Sequence, residues 1–142
     1  MSTYQTEEQI EDVVRDFESC TTDKSDFKHQ HHLTVAVSYL RELTLEQAIN
    51  KMREALLRFV DHHQVDRRKY NETITVFWFQ IVAEAMRTMP ANVRGVEQCN
   101  RVIERFSNAD LALNYYSRDL LFSERAREEF VEPDLKDWRR LS

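Results

Sequence analysis

The stretch that decides the fold is Glu72–Met89, ETITVFWFQIVAEAMRTM, in which Ile74, Val76, Phe77, Trp78, Phe79, Ile81 and Val82 leave almost no polar face. A helix that is apolar nearly all round is a central, buried one, so its neighbours must be amphipathic elements packed around it. Pro90 supplies the stop. Working upstream, Leu45, Ile49, Met52, Leu56 and Phe59 make a helical core line, with Thr44 and Gln47 spaced as a capping box before it. Leu33, Ala36, Leu40 and Leu43 mark a helix from a cap at Asp26 to about Leu43, and Ile10, Val13, Val14 and Phe17 mark one over about Glu7–Cys20. Downstream, Val96, Cys99, Ile103 and Phe106 define a fifth helix. Short pieces at Leu111–Tyr116 and after a Ser123 cap follow, and an irregular tail starts at Pro133.

These periods predict a single all-α domain over residues 1–142. Its core is a bundle of about five main helices (about 7–107), followed by a short helical C-terminal subassembly (about 108–142). One glycine among 142 residues agrees, because hairpin turns, phosphate-cradling loops and dinucleotide fingerprints all need several. Two cysteines without CxxC spacing read as reduced thiols, with Cys99 in the core. The net charge of −5 argues against nucleic-acid binding, which needs a basic face. No membrane span or leader pattern is visible, so the expected location is cytoplasmic.

All five histidines lie in residues 29–63. At about 100° per residue, His29 and His32 fall on the stripe of Leu33 and Leu40, whereas His31 points to the opposite, solvent side. His63 comes roughly five turns after Leu45 and extends that helix's core line. If the second and third helices are antiparallel, the start of one and the end of the other meet where the central helix begins at Glu72. The expected site is therefore His29, His32, His63 and Glu72 at one bundle end. Two histidines one turn apart plus a carboxylate is how helical bundles hold zinc or non-haem iron, so these four are the candidate ligands of a divalent metal. Glu72 doubles as candidate catalytic base, and Tyr70 and Thr73 flank it as candidate ligand-binding residues. Trp78 with its phenylalanine neighbours, and the pair Tyr115 and Tyr116, read as packing residues, the tyrosines half-buried.

Phe27, His29, His32 and Leu33; Tyr70, Glu72, Thr73, Ile74 and Thr75; Tyr115, Tyr116 and Ser117; and Ala126, Arg127, Phe130, Pro133 and Asp134 form a spaced series. It resembles a widespread family of uncharacterised small bacterial helical proteins, with F-x-H-x-x-H-L, Y-H-E-T-I-T, Y-Y-S and A-R-x-x-F-x-x-P-D segments. The resemblance implies that His29, His32 and Glu72 belong to one constellation. The chain departs from the pattern at Asn71, where the similar proteins carry histidine. Two functional readings follow. In one, the bundle-end site binds a divalent metal or a small polar ligand; in the other, the chain is a non-catalytic interaction module or homodimer whose polar cluster is structural.

Overall fold

The computed structural model describes residues 2–138 and contains seven α-helices and no strand among them. They are α1 (Glu7–Glu18), α2 (His29–Glu42), α3 (Leu45–His62), α4 (Glu72–Thr88), α5 (Gly95–Arg105), α6 (Arg118–Leu121) and α7 (Glu124–Glu128). The fold is all-α, as the periodicities predict. The end of the expected C-terminal subassembly, residues 139–142, lies outside the described residues.

α4 occupies the centre, packed against α2, α3, α5 and α7. Thr73, Phe77 and Val82 are fully buried along it. Side-chain caps set the starts of α3 and α1. Thr44 accepts from the Gln47 N–H while Gln47 returns a bond to the Thr44 N–H, and Thr6 and Gln9 do the same at α1. Cys99 sits in the core, where burial pushes its thiol up to about 11.

The start of α2 differs from expectation. Asp26 does not cap it: its N–H donates to the Asp23 carbonyl in a turn, and Phe27 stacks on Phe17 at 4.3 Å. Lys28 is thereby left extended as the N-cap residue, with its N–H donating to Nδ1 of His31 at 2.9 Å. His31 is therefore a half-buried cap rather than a solvent-facing side chain. Burial first, and Lys28 second, lower its pKa.

After α5 the chain turns back over the first turns of α4. Ser117 and Ser123 cap α6 and α7, and residues 129–138 then run as a strap. The Thr73 hydroxyl donates to the Glu129 carbonyl (2.9 Å) and accepts from the Val131 N–H (3.2 Å), while Tyr116 donates to the Val131 carbonyl (2.6 Å). Trp138 closes edge-on against Phe77 at 5.2 Å. Tyr115 and Tyr116, expected half-buried, are buried by this strap. α4 thus has two working faces, one covered by the strap and one turned to α2 and α3.

Candidate functional site

On the face of α4 turned to α2 and α3 the helices do not close completely, and a cavity of about 440 Å³ remains. α2 contributes His29, His32 and Ala36 to its wall; α3 contributes Met52, Leu56 and Phe59; α4 contributes Asn71, Ile74, Thr75 and Trp78. Tyr70 closes one side, and the exposed Lys24 and Lys69 stand at the rim. This is a mostly apolar space with a few polar groups, the usual make-up of a small-molecule pocket. Trp78, read from the sequence as core packing, is half-buried and part of the wall.

The two histidines of α2 have different hydrogen-bond lives. Nε2 of His29 lies 2.7 Å from the Phe106 carbonyl, which can only accept, so that nitrogen carries the proton. The ring rests on Trp78 at 4.7 Å, and in the neutral form Nδ1 keeps a free lone pair. His32 packs on Phe27 at 4.5 Å and, among the described residues, has no hydrogen-bond partner. Burial above all, with His29 and His31 adding repulsion, lowers its pKa to about 4. At neutral pH His32 is therefore an uncharged imidazole whose donor and acceptor are both uncommitted.

Glu72 does not join them. Its carboxylate receives a two-pronged contact from Arg53 of α3, Nε to Oε1 at 2.8 Å and Nη2 to Oε2 at 2.5 Å, and the Tyr70 hydroxyl donates to Oε1 at 2.6 Å. Burial pushes the Glu72 carboxyl up, but the hydrogen bonds from Arg53 and Tyr70 and the charge of Arg53 outweigh it, leaving it below the ordinary range. Burial, then the Glu72 carboxylate, raises the Tyr70 hydroxyl. The cluster is closed: both carboxylate oxygens are used, and Glu72 is absent from the cavity wall.

The remaining expected residues are dispersed. His63 caps the end of α3, packs tilted against Phe59 at 4.4 Å and, among the described residues, has Nε2 buried without a partner; it does not line the cavity. Thr73 is fully buried under the strap rather than facing a ligand. Tyr70 does line the cavity. Of the four candidate metal ligands, the fold brings only His29 and His32 to a common wall. Among the described residues, no three or more His, Cys, Asp or Glu side chains are grouped so as to hold a metal ion. Asn71, at the position where the resembling pattern has histidine, accepts from the Ile74 N–H (3.0 Å) and donates to the Leu121 carbonyl (2.8 Å), capping α4 and tying it to α6.

Sequence reading missed Arg53 because an arginine on a helix flank reads as solvated surface. The available signal was Glu72 itself, since an acid opening an almost wholly apolar helix needs a cation or donors nearby. No family model, curated protein or solved structure matches the chain. No helix among the described residues is long and apolar enough to cross a membrane.

Proposed function

We propose that the protein binds a small ligand in the cavity between α2, α3 and α4, with an apolar body against Leu56, Phe59 and Trp78 and a polar group at His29 and His32. One observation carries this reading. His32 lines the cavity and, among the described residues, has no hydrogen-bond partner, whereas Tyr70, Asn71 and Thr75 on the same wall are all engaged. The His32 ring is only partly buried, so its donor and acceptor face the cavity uncommitted to the protein and are available to a bound molecule in place of water.

The Arg53–Glu72–Tyr70 cluster serves as scaffold in this reading, holding the Tyr70 ring at the cavity wall. That gives the cluster the structural part of the interaction-module alternative, and it makes Glu72 a positioning residue rather than a base. A divalent ion at His29 and His32 is the second form of the proposal, favoured by the free Nδ1 of His29 behind its carbonyl-bound Nε2. Its other ligands would come from the bound molecule or water.

The test is saturable binding of 1-decanol, followed by Trp78 fluorescence in a Trp138→Phe background. The wild-type cavity should bind it, and Ala36→Phe, which fills the wall from α2, should abolish binding with helicity retained. Equal binding by both proteins would place the ligand elsewhere and overturn the reading. Calorimetry with Zn(II) separates the two forms: one site per chain that vanishes in His32→Ala supports the metal, and no site removes it.

A further inference from the structure

Charge is distributed unevenly around the cavity. The chain carries 25 acidic residues against 20 lysines and arginines, yet among the described residues no carboxylate stands on the cavity wall. The ionisable groups there are Lys24, Lys69, His29, His32 and Tyr70. Every salt bridge near the site lies off that wall: Arg53 with Glu72, Arg67 with Asp61, Arg68 with Asp66. Among the described residues neither Lys24 nor Lys69 forms a salt bridge; the carboxylate that Lys69 acts on at longer range, Asp66, is itself held by Arg68. They also come from separate segments, the loop before α2 and the short 3-10 turn Arg67–Lys69, so no local helix pattern accounts for the pair.

We infer that the cavity's ligand is an amphipathic organic anion, an alkyl or aryl chain ending in one oxyanion, with the chain in the cavity and the oxyanion at Lys24 and Lys69. The inference rests on the ligand-binding reading above and deepens it. The chemistry fits each part of the wall. The aromatic and aliphatic lining repels a free ion but accepts a hydrocarbon, worth about 25 cal/mol per Å² buried. At about 30 Å³ per water-sized group, 440 Å³ holds roughly fifteen heavy atoms, the length of a medium-chain or bicyclic compound. Neutral His32 can donate one hydrogen bond to an oxygen of the head group. Two rim ammoniums supply the counter-charge without the desolvation cost of a buried ion pair. A cationic amphiphile would meet like charge at the same rim.

The experiment measures dissociation constants, from calorimetry and from Trp78 fluorescence with Trp138→Phe added to each protein, for four probes with ten-carbon chains, below their micelle or solubility limits: decanoate, decyl phosphate, 1-decanol and decyltrimethylammonium. The proteins are the full chain and Lys24→Gln/Lys69→Gln, whose exposed positions leave folding intact. The expected result is that both anions bind and the ammonium probe does not. The double variant should lose about fivefold for the anions, with decanol within twofold. Added salt should weaken the anions alone. Which anion binds more tightly names the head group, carboxylate or phosphate, and either order supports the inference. A decanoate-to-decanol ratio unchanged by the double variant, or ammonium binding equal to decanoate, overturns the anion inference while leaving the cavity reading intact. Failure of all four probes to perturb Trp78 removes both.

Discussion

Two polar clusters sit about the first turn of α4, and they are built on opposite terms. Around Glu72, every strong group has a partner: the carboxylate takes Arg53 on both oxygens and Tyr70 on one. Around His32, little is settled: His29 gives one nitrogen to Phe106 and, among the described residues, His32 gives neither. A satisfied cluster holds helices in register and has nothing left to offer a ligand. An uncommitted one keeps its hydrogen-bonding capacity for something else. The difference separates scaffold from site more sharply than residue type does, since by type alone Glu72 looks the more catalytic.

The strongest test of the contrast uses pH. His32 is lowered to about 4 in the fold against about 6.5 in an unfolded chain. Between those values the unfolded state binds the extra proton. Stability from keeping His32 neutral is thus complete above about pH 6.5 and falls away toward pH 4, by up to roughly 3 kcal/mol. Glu72 acts in a lower window. Its depressed carboxyl contributes stability above the unfolded carboxylate value of about 4.3, and that contribution goes as pH falls through the folded value. Urea titrations from pH 7 to 4 should show the upper loss in wild type and a much smaller one in His32→Leu, where only the lowered His31 still contributes. An identical slope in both would mean that the imidazole is not held neutral.

Removing one partner of the satisfied cluster comes next. Glu72→Leu should cost about 2 kcal/mol in urea unfolding, below the figure for fully buried pairs because the Arg53 side chain keeps 35% exposure and can hydrate. Arg53→Met added to it should recover most of that loss. A single variant as stable as wild type would remove the scaffold role.

Thr73→Val gives the smallest effect, about 1–2 kcal/mol, since it strands the Val131 N–H and frees the Glu129 carbonyl beneath the strap. Amide exchange at Val131 should accelerate while decanol binding stays within twofold. A lost binding signal would tie the strap face of α4 to the cavity face and undo the separation drawn between them.

How much of this was legible depended on range. The core lines of α1, α3 and α5, the Thr44–Gln47 capping box and the central place of α4 follow from spacings within one or two helical turns. Asp26 failed as a cap because its N–H is taken by the local Asp23 turn and the Phe27–Phe17 stack, a contact back to α1, leaves Lys28 as the cap. His29 and His32 were placed on the right face by angle alone. His63 lay on the extrapolated core line of α3, yet at a helix end the backbone leaves helical geometry, and its ring turned to Phe59 instead of the cavity. Trp78 was assigned to the core because an all-apolar helix gives no sign of which side will remain unfilled.

The sequence by itself determined the class of fold, the helix that must be central and the wall on which two histidines stand, because 3.6-residue periodicity and capping are local physics. Only the tertiary structure decided that Glu72 belongs to Arg53, that Thr73 holds the strap, and that a cavity survives beside Trp78. Those outcomes depend on the angle and depth at which helices cross, which set partners nineteen or more residues apart and follow from how whole side-chain surfaces fit together.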